Sequence, residues 1–336
     1  MAKSLLRSSL IFSFFTFISR ILGLLREMIF ANVFGASWMM DAFLVAFKIP
    51  NFLRRLFAEG AFSQAFVPVL SEVKEQGTAQ EYQDFIAHVL GALMFFLILL
   101  LCLLEASAGF WIHLFAPGFS RDPQKYALAV SLLHITFPYL LLVCYLSFAA
   151  SLYQVRQHFG LPSSLPIILN LCFIAMVLYG APYFSLPVFA AAWSLIIAGV
   201  LQSLVVFVFG RKSGLCVWPR LSLRHPGVCR LWRLMAPALL GASMVQISLL
   251  IDTFFASWLQ NGRISWLYYA DRLMQFPLGV IGVALGTVVL PSLSRAVAQK
   301  RDDLYQRHCD WGLRVVLCMG IPAALGLIFL AKPLEL

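Results

Sequence analysis

An all-α polytopic membrane protein of about nine spans is the fold class this sequence predicts, and three observations carry the prediction. Only 12% of the 336 residues are charged while 61% are hydrophobic, about half the charge of a soluble globular chain. Apolar stretches of about 20 residues, the helix length that crosses about 30 Å of hydrocarbon, recur along the whole chain. The positive residues between those stretches alternate with the loops, almost all on one side.

Apolar length read against polar breaks sets the spans in order. The first covers residues 8–34. Lys3 and Arg7 before the apolar run Ser8 to Ile18 imitate a signal peptide, but no small-residue cleavage site follows and the run continues through Arg20 and Arg26. A retained span is therefore expected. The second, 39–58, is unusual: "DAFLVAFKIPNFLRRLFAEGAF", Asp41 to Phe62, mixes Asp, Lys, two Arg and Glu into an otherwise apolar segment. The third, 83–107, holds 16 successive residues without a polar side chain, Val89 to Leu104. Spans four to six follow at 127–154, 162–182 and 185–210. After a basic loop, spans seven to nine cover 231–258, 266–294 and 308–331.

With the N-terminus in the cytoplasm, the loops on that side carry 14 positive residues, from Lys3 to Arg307, against Arg121, Lys125 and Arg263 on the other. That asymmetry sets the orientation. It also accounts for the net charge of +10 through topology and anionic headgroups, so the basic stretch Arg211 to Arg233 calls for membrane lipids as partners and no nucleic acid. Two stretches repeat. Asp41 and Pro50 precede "AFVPVLSEV" (Ala65 to Val73), and Tyr268 and Pro277 precede "VVLPSLSRAV" (Val288 to Val297). A transporter of two similar bundles is expected: an N-lobe at 1–210, a basic inter-lobe loop at 211–230 and a partial C-lobe at 231–336. Three spans in the second bundle against six in the first suggest a truncated product or fragment.

Charge at the bilayer centre costs at least about 2.5 to 3.5 kcal/mol per residue, so intramembrane charges need a partner or water. Asp41, Lys48 and Arg55 are spaced by seven and form one stripe on a helix that Pro50 should kink. Arg20 and Glu27 are also seven apart. Arg54, Arg55 and Glu59 alone could snorkel to the interface, but Arg20 lies mid-span and Arg272 sits inside the eighth span beside Asp271. Several cations from different spans point to a water-filled, positive cavity. Arginine suits bidentate contact with phosphate, which favours a phosphate-bearing ligand. Asp252, in "SLLIDTFFASW", is either an ion-coupling carboxylate or a side chain satisfied by Ser248 one turn back. Seven cysteines without CxxC spacing read as free thiols, and six scattered histidines without an i, i+4 pair point to no metal site.

The motifs "SRILGLLRE" (Ser19 to Glu27), "DAFLVAFKIPNFLRRLFAEGAFSQAFVPVL" (Asp41 to Leu70), "APGF" (Ala116 to Phe119), "ITFPYLLL" (Ile135 to Leu142) and "SWLYYADRLMQFPLGVIGVALGTVVLPSLS" (Ser265 to Ser294) resemble the MurJ/MviN lipid II flippases of the multidrug/oligosaccharidyl-lipid/polysaccharide exporter (MOP) superfamily. The resemblance covers essentially the whole chain. It implies the MOP transporter fold, with this chain corresponding to the first nine of fourteen spans and an incomplete second lobe. It further implies translocation of lipid II, an undecaprenyl-diphosphate-linked disaccharide pentapeptide, from the cytoplasmic to the periplasmic leaflet of the bacterial inner membrane by alternating access. Cell-wall synthesis proteins are the implied partners. No cofactor is implied; membrane potential, Na⁺ or H⁺ would drive transport, with Asp252 as the ion-coupling candidate. Arg20, Arg26, Arg54, Arg55 and Arg272 would contact the diphosphate. Asp41 would pair with an arginine in gating, with Lys48, Glu59 and Asp271 in similar charge-pairing roles. Where many relatives carry Glu in "ADRLMEFP", this sequence has Gln275, which puts a coupling role there in doubt.

Three rival functions remain on the sequence. An exporter of cationic drugs would need a carboxylate-rich cavity, which the arginine excess opposes. An enzyme acting on polyprenyl phosphates would need a metal-binding carboxylate cluster or a nucleophile with its base, and neither lies in or beside a span. An ion-coupled exporter of another lipid-linked or amphipathic substrate, or a non-transporting fragment, is the remaining alternative.

Overall fold

The structure is a computed structural model. It describes residues 2–56, 62–156, 158–212, 214–215, 217–298 and 301–335, with side chains at all of these except 2–12, 240, 242–245, 249, 276–288, 290–291, 294–295, 298 and 330–335. The described residues are all-helical: α1 (Ala2–Phe34), α2 (Trp38–Arg54), α3 (Ser63–Gln76), α4 (Ala79–Ala106), α5 (Ala108–Phe115), α6 (Pro123–Thr136), α7 (Pro138–Val155), α8 (Gly160–Ala175), α9 (Val188–Lys212), α10 (Pro226–Ala256), α11 (Arg263–Ala298) and α12 (Asp302–Glu335). Among the described residues each expected span lies mainly on helix, with residues 57–58 of the second outside the described residues and 185–187 of the sixth preceding α9. Among the described residues, five stretches are long and apolar enough to cross a membrane: Ala79–Ala106, Pro123–Val155, Gly160–Tyr183, Val188–Lys212 and Asp302–Phe329. The chain is a multi-pass membrane protein.

Local sequence sets the helix ends. Gly35, at φ 56°, terminates α1 with its N–H on the carbonyl of Ala31, a left-handed position that suits glycine. Ser37 caps α2, and a Thr78/Glu81 capping box starts α4. Two helices were not foreseen. α3 carries the "AFVPVLSEV" element, and α5 precedes a 3₁₀ turn, Pro117–Arg121. The two copies of the sequence repeat also differ in structure. The first is divided between α2 and α3, whereas the second lies within the single helix α11.

Pro50 lies inside α2 without ending it. A proline has no N–H, so the carbonyl of Ala46, four residues earlier, loses its helical partner. The hydroxyl of Thr136 lies 3.2 Å from that oxygen and donates to it, shared with the carbonyl of Leu133. Thr136 is fully buried at the end of α6, immediately before the break at Pro138. One side chain from a neighbouring helix thus repairs the backbone defect that the proline creates.

Contacts divide the chain into two compact units, Met1–Ser265 and Trp266–Leu336. In the first, α1 packs on α8, α2 on α6, α8 on α9, and α10 on α3, α4 and α5. Its core is aromatic, with Phe66 stacked on Phe62, Phe85 and Phe148. One end of this unit gathers the α1–α2, α5–α6 and α10–α11 connections. The opposite end gathers the α3–α4 turn, the α7–α8 turn and the segment before α10, where Lys74 donates to the carbonyl of Val155 and Arg220 to Asp84. The second unit holds the rest of α11 together with α12.

Candidate functional site

A buried polar constellation lies at the first of those ends. Ser37 caps α2 by accepting from the N–H of Met40 at 3.2 Å, which puts Asp41 in the first helical turn. Asp122 caps α6 in the same way, accepting from the N–H groups of Gln124 and Lys125, and so places Lys125 one turn in. The two side chains meet. The ammonium of Lys125 donates to Asp41 Oδ2 at 2.8 Å and to Asn261 Oδ1 at 2.9 Å, while lying 4.4 Å from the ring centre of Phe119.

Asp41 is 0% exposed and Lys125 4%. Taking two such charges out of water is expensive unless the remaining lone pairs are satisfied. Here they are. Asp41 also accepts from the N–H of Gly262 (2.7 Å), the N–H of Ser265 (2.8 Å) and the hydroxyl of Ser265 (2.7 Å). Four donors therefore surround one carboxylate, three of them from the α10–α11 corner.

Glycines allow the close approach. Gly262 adopts φ +90°, and a Cβ there would sit 2.5 Å from the carbonyl oxygen of Ala36. Gly118, in the "APGF" motif, donates its N–H to Ser257 Oγ at 3.1 Å, and a Cβ on it would lie 2.0 Å from the Ser257 carbonyl. Arg121 lies over the ring of Trp258 at 4.6 Å, and deeper in the bundle Lys48 donates to Thr253 Oγ1 at 2.8 Å. Together these contacts form a seam that fastens α2 and the α5–α6 connection to the end of α10.

Two sequence expectations need correction. Asp41 pairs with Lys125, not with an arginine, because α6 starts at Asp122–Pro123 and turns Lys125 inward. For the same reason Lys125 is not an exposed loop residue. The Asp-Pro helix start was the available signal. Asp41 and Lys48 do share a face, as their spacing predicts, and both engage residues 253–265. Arg55 lies at the far end of α2, half-buried.

The arginines expected at the site are spread out. Arg20 is exposed on α1. Arg26 is half-buried: it donates to Asn170 Oδ1 at 3.0 Å, pairs with Glu27 and lies 5.2 Å from the ring centre of Phe173. Asn170 in turn donates to the carbonyl of Ser19, tying α8 to α1. Glu27, aligned with Arg20 by spacing, therefore serves Arg26. Arg54 donates to Asn51 at 2.8 Å. In the second unit, Arg272 donates to Gln275 Oε1 at 3.2 Å and lies over Tyr268, with Asp271 half-buried beside it. The amide at Gln275 keeps an acceptor for Arg272 where a carboxylate would add charge. Asp252 is exposed and makes no hydrogen bond to Ser248 among the described residues. Glu59 lies outside the described residues.

The family model for lipid II flippase MurJ matches residues 30–335. The lipid II flippase MurJ of Burkholderia cenocepacia is 43% identical over 335 residues, covering 98% of this chain and 65% of that protein. The chain spans about 65% of the length of the curated relatives it matches. A solved structure of a lipid II flippase MurJ in an inward closed conformation superposes with a TM-score of 0.78 at 28% identity, covering 97% of this chain and 66% of that one. An outward-facing multidrug transporter of the MATE family, in the MOP superfamily, shares the fold at a TM-score of 0.60 and 12% identity, covering 99% of this chain and 73% of that one.

Proposed function

We propose, because this chain belongs to the lipid II flippase MurJ family, that it forms the larger part of a transporter carrying lipid II from the cytoplasmic to the periplasmic leaflet of the bacterial inner membrane. The seam built on Asp41 and Lys125 is its periplasmic gate. One observation carries the gate reading: a buried carboxylate with four donors, three from the α10–α11 corner, fastens the seam through contacts that are made or lost together. Alternating access needs such a bistable element. When the seam parts, water replaces the lost donors around Asp41 and Lys125, so the cost of opening is bounded.

The alternation of basic loops supports an N-terminus in the cytoplasm, which puts the seam on the periplasmic side. Residues 1–210 and 231–336 act as the two lobes, joined by the basic loop at 211–230. Arg26 is the proposed bidentate donor to the diphosphate of the cargo, with Arg20, Arg54, Arg55 and Arg272 as further proposed contacts along its path. Arg26, already oriented by Asn170 and Glu27, loses little side-chain freedom on binding. Asp252 is the proposed carboxylate through which Na⁺, H⁺ or membrane potential acts.

The test is growth of cells depleted of their own lipid II flippase. The chain is completed with the remaining length of the Burkholderia cenocepacia relative and compared with Asp41→Ala and Arg26→Ala variants at matched membrane levels. Growth supported by the parent and lost in both variants is expected. Growth supported by all three would remove both the gate and the diphosphate contact.

A further inference from the structure

At the end of the first unit opposite the seam, three side chains converge that the transport reading does not use. Asp84 and His88 lie one turn apart on α4, and His225 caps the start of α10. One donor atom from each lies within 4.8 Å of the other two. Asp84 Oδ2 is 3.2 Å from His88 Nδ1 and 3.7 Å from His225 Nε2, and the imidazole rings stack with centres 4.5 Å apart. We propose that Asp84, His88 and His225 form a binding site for a divalent transition cation of the Zn²⁺ class, which staples the segment before α10 to α4.

The geometry suits that cation. Zinc bonds of about 2.0–2.1 Å to nitrogen and oxygen place tetrahedral ligands about 3.3 Å apart, close to the spacing already present. Two imidazoles and a carboxylate are a borderline donor set, suited to Zn²⁺, Co²⁺ or Ni²⁺ and unsuited to Mg²⁺ or Ca²⁺. Outer contacts orient the ligands. Arg220 donates to Asp84 Oδ1 at 3.0 Å and leaves Oδ2 to the site. His88 Nδ1 also lies 2.8 Å from the carbonyl of Asp84, so binding a cation through Nδ1 replaces that backbone bond and leaves the ring proton on Nε2. The backbone of Arg220 is pinned to the carbonyl of Ala87 at 2.9 Å, and Gly91 leaves room for it, since a Cβ there would lie 2.3 Å from the Arg220 oxygen. A cleft of about 340 Å³ lined by Glu72, Glu81, Asp84 and His225 gives the ion a path to the site from solvent.

His225 is the adjustable ligand. Its Nδ1 accepts from the N–H of Gly227 at 3.2 Å, so the ring proton is on Nε2, facing Asp84. Binding through Nε2 moves the ring proton to Nδ1, which can then no longer accept from Gly227, so the cap is released.

The test is titration of the purified chain in detergent micelles with Co²⁺, read by visible absorption, and with Zn²⁺, read by calorimetry. His225→Asn keeps a good helix cap while removing the imidazole, and His88→Gln removes the other. One equivalent bound at micromolar concentration, with tetrahedral Co²⁺ bands, is expected of the parent, and a loss of at least about 100-fold in affinity of each variant. As a second readout, bound Zn²⁺ slows tryptic cleavage after Arg220 and Arg224 in the parent alone. Binding no tighter than millimolar, or parent-like affinity in folded variants, overturns the proposal.

Discussion

Replacing Lys125 by methionine tests the latch directly, because methionine keeps the bulk of the side chain and deletes its charge. Asp41, 0% exposed, then keeps the three donors of Gly262 and Ser265 but no counter-charge. Removing one member of a buried pair costs about 3–5 kcal/mol, and the three surviving donors argue for the lower end, about 3 kcal/mol. That energy belongs to the closed seam. Once open, Asp41 meets water, so the closed-to-open ratio falls by about 100-fold or slightly more. The reporter is a single cysteine in a background cleared of native cysteines, placed by Ala256→Cys at the 7%-exposed end of α10. Its rate of labelling by a small maleimide follows the open population. Lys125→Met should raise that rate by about 100-fold, saturating once the open state predominates. Adding Asp41→Asn should lower it again, because no uncompensated charge remains to be buried. A rate within twofold of the parent in the Lys125→Met protein would refute the latch.

Gly118→Ala should loosen the same seam by steric means: the new methyl meets the backbone of Ser257 at 2.0 Å, and a loss of about 1–3 kcal/mol in thermal unfolding is expected. Thr136→Val should cost about 1–2 kcal/mol by leaving the Ala46 carbonyl without a donor. In a Pro50→Ala background the same change should cost less, since the alanine N–H restores the helical bond, and unfolding of the four proteins gives the coupling. Glu72 is held below its ordinary pKa of 4.5 by the Arg230 guanidinium. Its contribution to stability is present above pH 4.5 and is lost as pH falls through the lower folded value. Both side chains are open to solvent, so the effect is small, and Arg230→Ala should abolish that part of the pH dependence of unfolding.

The helices and their order were legible because lipid-spanning length is written locally, in runs such as Val89 to Leu104. The inward face of α2 was equally legible, since a spacing of seven keeps Asp41 and Lys48 on one side of a helix. Partners were not. Lys125 lies 84 residues from Asp41, and nothing local distinguishes a buried lysine at a helix start from one in a loop except the Asp-Pro that begins α6. Likewise His88 and His225 share no helical spacing, so a sequence scan for i, i+4 histidines passes over them while the fold stacks their rings. α3 was missed for another reason: its amphipathic pattern is too short and too charged to read as a span. The spread of the arginines was hidden because composition reports how many there are, and only packing reports that Arg26 is clasped by Asn170.

The two ends of the first unit are fastened by unlike chemistry. At one end the ion pair is sealed from solvent, while at the other Arg230 grips Glu72 with two bonds of 2.9 and 2.7 Å on side chains open to solvent. Dissolved ions screen charges over about 10 Å at 0.1 M and reach only those that water reaches. Raising ionic strength therefore slackens one end and leaves the other nearly untouched. Bulk salt becomes a handle that addresses a single end of the bundle.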